Sequence, residues 1–405
     1  VREHRFGICR WADWGLENVE EVQMTYAGTR RMFDADSHLM ELPGWLESYA
    51  DPGVRERIRP LALGAAGAVA DEAVAAAQLR RDDATASGLQ DRLMVQKGWH
   101  GLGAFDRSER SRALDLLGFD AQLVFSTFAP TQYLGDDVEL AFGGTRAHNR
   151  GIADFCAEDP RLLAVAMVPW GPPELTLEAV VEALDFGCAA VHFPSRPLRH
   201  GTAPTHPDYH PVWALLAERD VPFMLHVGGA GRLIPREFHD NGIPVTDFLG
   251  GGENIRAKDY MAIFHMPEVF LSALIFDGVF ERFPALRGGC IEQGALWVVP
   301  WLRRLDLAQA AFGRSEHVLR DLPAHPSEYV QDRLFFTPFP GEPVGWMIEQ
   351  AGEKLFCFSS DYPHPEGTKD PIGRFDAALT GTPVVAQERF FAGNFRTMMS
   401  DLTTR

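Results

Sequence analysis

Along its length the chain alternates short apolar runs with longer segments whose apolar positions recur every three or four residues. The short runs begin at Phe33 and continue at 121–126, 162–168, 188–193, 221–227, 286–291, 333–336 and 354–359. Each is nearly continuous in apolar character, the pattern of a strand buried on both faces. Between them the helical period predicts helices over 108–117, 136–158, 172–186, 210–219, 267–283, 295–311 and 342–350, with helical segments again from Ile372 and Pro383. Asp136 is placed as an N-cap, and proline opens the helix from 172. Eight buried strands separated by helices predict an α/β fold, a distorted (β/α)8 TIM barrel.

Two stretches depart from this rhythm. Residues 1–31 are mixed in character and read as an N-terminal extension that packs on a barrel spanning 32–405. Residues 42–107 hold an alanine-rich patch at 63–77 and the charged cluster Arg80-Arg81-Asp82-Asp83. A long irregular insertion in a compact fold is usually functional or disordered, and this one is expected to form a lid after the first strand. A glycine-rich crossover over 228–265 follows the fifth strand.

Composition narrows the partners. The chain has 405 residues and a formal net charge of -18, which argues against nucleic acid and against an anionic membrane surface. The five cysteines, Cys9, Cys156, Cys188, Cys290 and Cys357, are odd in number and form no C-x-x-C pair. That usage fits a reducing compartment and argues against a thiolate zinc site. No apolar run reaches membrane-spanning length and no signal-peptide core opens the chain, so the expected location is cytoplasmic.

The chemistry gathers where the apolar runs end. The first run delivers Asp36 and His38, two residues apart and therefore on one face of a strand. The fourth ends in His192, the fifth in His226, the sixth in Glu292, and the eighth in Asp361 with His364 just beyond. A lone histidine at a strand end is ordinarily a satisfied core residue. Three imidazoles and three carboxylates converging on the C-terminal rim of a barrel are different. Buried carboxylates need a compensating cation, and the strand ends themselves supply no lysine or arginine. A metal held by Asp36, His38, His192, His226, Glu292 and Asp361 answers that need. Imidazole and carboxylate ligation suits non-haem iron and equally zinc or manganese.

The Asp-x-His start, the strand-end His226, Glu292 and the ending Ser360-Asp361-Tyr362-Pro363-His364-Pro365-Glu366-Gly367 resemble the amidohydrolase-2 group of the amidohydrolase superfamily. The similarity runs from about Phe33 to the C-terminus, with a divergent stretch at 45–105. The group contains metal-dependent hydrolases and non-oxidative decarboxylases. This chain offers Asp36 where many members have histidine, Glu292 where hydrolases and decarboxylases usually have histidine, and His192 in place of a carboxylated lysine. These departures resemble a branch that includes the TIM-barrel non-haem diiron monooxygenase of platensimycin and platencin biosynthesis. That likeness implies two iron ions, dioxygen, an electron donor, a hydrophobic substrate carried as a CoA thioester, and a place in secondary metabolism. The alternative is a mononuclear zinc or manganese hydrolase or decarboxylase.

Other residues complete the expectation. His364 and His265 are candidate catalytic groups, His364 by orienting Asp361 and His265 as a base or substrate contact. Arg196, Arg199 and Arg232 follow the fourth and fifth strands and are candidates for the phosphates of a CoA ester. The glycine clusters lack phosphate-loop spacing, so no nucleotide fold is expected. Homo-oligomerisation is compatible with the sequence.

Overall fold

The computed structural model describes residues 25–400, apart from 65, 83–91, 196–201, 229–232, 245–255, 332 and 366. Seven strands form one sheet in chain order: β1 (Phe33–Leu39), β2 (Ala121–Ser126), β3 (Leu162–Met167), β4 (Ala190–His192), β5 (Phe223–His226), β6 (Gly288–Ile291) and β7 (Leu334–Phe336). Every neighbouring pair is parallel. All seven residues of β1 are buried, as a strand covered on both faces requires.

The expected eighth strand is present as extended backbone that closes the barrel without a continuous ladder. On one side Phe336 N donates to Leu355 O and Cys357 N to Phe336 O. On the other, Ala35 N donates to Phe358 O, Asp361 N to Asp36 O at 3.0 Å, and His38 N to Tyr362 O at 2.7 Å. This seam between β1 and 355–362 is where much of the candidate chemistry lies.

Inside the barrel, an apolar plug of Phe33, Leu123, Val165, Met224, Ile291 and Phe335 meets Phe395 and Met398 of the Asn394–Met398 helix. The floor is thus sealed and apolar, and the polar groups collect at the opposite rim. A second layer of apolar side chains packs the strands against the surrounding helices. Gly288 is required here: a Cβ at this position would overlap the ring of Phe223 on the adjoining strand.

Three local expectations are corrected. The helix after β2 runs Val138–Cys156 and is capped by Asp137 rather than Asp136, because the extended Asp137 aims its carboxylate at Leu140 N, 3.1 Å away. The helix expected over 267–283 is two, His265–Phe276 and Val279–Arg282, parted at Gly278 with φ of 73°. The stretch after β1 is more regular than its composition suggested. It contains Trp45–Tyr49, Pro52–Arg55 and a long helix, Ala66–Asp82. Ala66, Ala70, Ala73 and Ala77 are buried at helical spacing, and the first three of them pack with Met40, Trp99 and Ala104. Among the described residues one helical stretch, Ala257–Phe276, is long and apolar enough to cross a membrane by composition, but 44% of its apolar window is buried in the fold.

Candidate metal centre

The strand termini converge on one buried group. Asp36 and His38 come from β1, where the register against β2 slips between Asp34 and Ser37. Such a bulge is a common device for aiming side chains at a site. His226 is the last residue of β5 and Glu292 follows β6 directly. Asp361 and His364 lie just past the eighth segment. Glu292 and Asp361 share a second peculiarity: both are left-handed, with φ of 54° and 52°. A non-glycine residue in that region costs on the order of 1–3 kcal/mol and persists only when its surroundings enforce it. Here Thr337 Oγ1 fixes Glu292 N at 2.9 Å, and Asp36 O fixes Asp361 N at 3.0 Å.

The distances describe a compact donor set. Asp36 Oδ1 lies 3.2 Å from His38 Nε2 and 3.3 Å from His226 Nε2. Glu292 Oε2 lies 3.3 Å from His226 Nε2 and 3.9 Å from His38 Nε2. Asp361 Oδ1 lies 3.7 Å from His38 Nε2. Two overlapping groups result, Asp36-His38-His226-Glu292 and His38-Glu292-Asp361-His364, each with its ligand atoms within 4.8 Å of one another.

The electrostatics suit a cation. Burial alone would raise the Asp36 carboxyl, but the His226 and His38 nitrogens beside it hold it below its ordinary value. Burial, and then the neighbouring His364, push His38 downward, keeping its imidazole neutral as a metal ligand must be. Burial likewise lowers His192 well below its ordinary value. His192 Nε2 is buried with no hydrogen-bond partner, and the buried Asp361 Oδ1 has only the ring nitrogen of His364 beside it, 3.0 Å away. Under-satisfied buried groups in a ring of carboxylates and imidazoles are what a divalent ion would satisfy.

His364 is held on both sides. Its Nδ1 is 3.0 Å from Asp361 Oδ1 and its Nε2 is 2.9 Å from Thr127 Oγ1. The Thr127 hydroxyl proton is directed to Leu39 O at 2.8 Å, so Nε2–H of His364 donates to Thr127. In the neutral ring this leaves Nδ1 as an acceptor facing Asp361.

The structure thus brings Asp36, His38, His226, Glu292, Asp361 and His364 together. His192 sits beside them, its ring 5.8 Å from that of His226, but outside both groups. His265 is not brought in; it is exposed on the first turn of its helix, edge-on to Phe264. Arg196, Arg199 and Arg232 lie outside the described residues.

Four supporting residues escaped the sequence reading. Asp34 is fully buried and accepts from Ser360 N, Ser360 Oγ, Gln122 Nε2 and Asp36 N. Glu41 accepts from the backbone of Thr127, Phe128 and Ala129, fixing the loop that carries Thr127. Thr127 itself, 237 residues before His364, is invisible as a partner in sequence. Arg110 supplies a buried cation behind the strand ends, which the sequence showed as only one charge on a helix. For Asp34, the alternation Asp34-Asp36-His38 along β1 was the available signal.

The amidohydrolase family model matches residues 33–396. The chain belongs to the amidohydrolase family. Among solved structures, an amidohydrolase from Mycobacterium avium subsp. paratuberculosis K-10 is 20% identical with a TM-score of 0.69, covering 92% of this chain and 100% of its own. The 5-carboxyvanillate decarboxylase of Sphingomonas paucimobilis is 18% identical with a TM-score of 0.59, covering 92% and 99%. A dihydroxybenzoic acid decarboxylase from Polaromonas sp. JS666, with bound manganese and the inhibitor 2-nitroresorcinol, is 16% identical with a TM-score of 0.58, covering 91% and 97%. No curated protein matches the chain by sequence. At these identities the structural likeness speaks for the fold, and membership rests on the family match.

Proposed function

We propose that this amidohydrolase-family enzyme is a divalent-metal-dependent, non-oxidative decarboxylase of a small aromatic carboxylic acid. Zinc or manganese is the expected ion. The observation that carries the reading is the Asp36-His38-His226-Glu292 group, continued by Asp361 and His364, with an unpartnered buried nitrogen on His192 beside it. Solved neighbours of the same fold include decarboxylases of benzoate derivatives, several of them with bound manganese. Their substrates are therefore the first to try.

Asp36, His38, His226, Glu292 and Asp361 would hold the ion, with His192 as a further donor. When bound, the ion supplies a Lewis acid that anchors the substrate carboxylate or an adjacent oxygen. The protein's own part is a proton. Asp361 Oδ1 and His364 Nδ1, 3.0 Å apart, share one mobile proton, because the other nitrogen of His364 is committed to Thr127. That pair can deliver the proton to the ring carbon that bears the carboxylate; carbon dioxide then leaves and the carbon–hydrogen bond takes its place.

A second reading, the diiron monooxygenase acting on a CoA-linked acid with dioxygen and an electron donor, draws on the two overlapping ligand groups and their three carboxylates. Metal analysis joined to anaerobic turnover separates the two. One zinc or manganese per chain, and carbon dioxide released from a hydroxybenzoate without oxygen, supports the decarboxylase. Two irons with labelled dioxygen incorporated into product would replace it.

A further inference from the structure

We propose that Arg110 is a positioning residue that ties together the two ligand-bearing segments meeting at the barrel's closing seam. Arg110 lies on the Arg107–Leu117 helix and is fully buried. Its Nη2 donates to the carbonyl oxygen of His38, and its Nε and Nη1 have no hydrogen-bond partner. Among the described residues no carboxylate forms an ion pair with it, and Asp34 acts on it only through its charge at a distance. Instead its guanidinium faces two rings, with Cζ 5.2 Å from the centroid of Tyr362 and 5.7 Å from that of Phe155.

A buried guanidinium without a carboxylate is costly, so its contacts matter. One is the backbone of His38. The other is the face of Tyr362, the residue after Asp361, where a cation is attracted by the ring quadrupole. Together the two contacts bridge the seam at the point where His38 N donates to Tyr362 O. The seam lacks a continuous ladder, so the spacing of Asp36 and His38 to Asp361 depends on such cross-ties. Arg110 is itself clamped. Tyr362 OH donates to Leu102 O at 2.7 Å, and Gly103, at φ of 70°, has no Cβ where one would overlap the Arg110 backbone.

The inference rests on the reading that the cluster holds a metal, and the sign of one measurement tests it. A cation close to a metal site repels the metal, so removing it by charge alone would tighten binding. Loss of a cross-tie loosens the ligands and weakens binding, by the 10- to 100-fold typical of groups that orient ligands. Manganese affinity of apo wild-type, Arg110→Met and Arg110→Lys proteins is measured by chelator competition, alongside their melting transitions and cobalt spectra. The expectation is a cooperative melt in all three, about tenfold or weaker binding in Arg110→Met, partial recovery in Arg110→Lys, and an altered cobalt spectrum in both. Binding equal to or tighter than wild type in Arg110→Met overturns the proposal. If that variant does not fold, Arg110→Lys decides: unchanged affinity and spectrum overturn it, and weakened affinity with a shifted spectrum upholds it. A wild-type protein that binds no metal would instead sink the metal reading itself.

Discussion

The imidazole of His364 lies flat on that of His38, with ring centroids 3.7 Å apart and planes 21° from parallel. Two cations cannot share that stack, so a proton on His364 disfavours one on His38. The arrangement separates roles: His38 stays neutral beside the carboxylates, and His364 works with Asp361. His364→Ala should therefore lower kcat by about 100- to 10,000-fold, the range for a lost general acid–base group, while metal is retained. Steady-state kinetics with metal analysis on the same preparation checks this. A kcat near wild type would remove His364 from the proton path.

The closing seam gives a stability prediction. Asp34 receives four donors and offers none, and burial raises its carboxyl to about 7. Asp34→Ala strands Ser360 N and Asp36 N in the interior, at about 1–3 kcal/mol for each unmet donor. Asp34→Asn should cost less. Gln122 Oε1 is buried without a partner, so a flip of the Gln122 amide would let it accept from the new Asn side chain. Urea unfolding should rank wild type above Asn above Ala, and equal losses in the two variants would show that Gln122 does not flip.

The barrel was legible because each strand is a short apolar run and because seven of the eight segments became strands in the expected order. The convergence of strand-end groups such as His226 and Glu292 was legible for the same reason: position in a barrel strand fixes direction. Arg110, Thr127 and Glu41 were not, since they act through backbone carbonyls, amides or a distant histidine, and no spacing in sequence records such partners. The eighth segment was legible as extended chain but not as a seam, because its left-handed Asp361 and interrupted pairing answer to the site rather than to strand propensity.

Glu41 provides a pH signature. Burial is its largest influence and pushes its carboxyl from an ordinary 4.5 up to about 7, against the backbone donors of the Thr127–Ala129 loop. Between those values the native protein holds a proton that the unfolded chain has released. Stability should therefore be highest below about pH 4.5 for this residue's part, fall as pH rises, and level off above about 7, a span of up to about 3 kcal/mol. Glu41→Gln removes the titration. Denaturation midpoints of the metal-free protein from pH 5 to 8 should decline more steeply in wild type than in the variant, and parallel slopes would contradict the assignment.

We propose that the Ala66–Asp82 helix is part of a lid, and the structure shows what would latch it. Arg80 meets Glu109 through two parallel bonds, Nε to Oε1 and Nη2 to Oε2, each 3.0 Å. Glu109 sits next to Arg110 on the Arg107–Leu117 helix and also accepts from Gly103 N at 3.4 Å. The inner face of the lid helix is alanine, which buries little apolar area per residue, so packing alone holds it weakly. A bidentate pair that is mostly shielded from water is stronger than an exposed one, and breaking it leaves Glu109 without its main cation. Arg80→Ala should therefore speed amide exchange across residues 66–80 while the core strands keep their protection. Bound substrate should slow exchange there in wild type more than in the variant, and KM should rise more than kcat falls. Exchange in this segment that matches the strands in both proteins, with and without ligand, would show that the helix is a fixed part of the barrel wall.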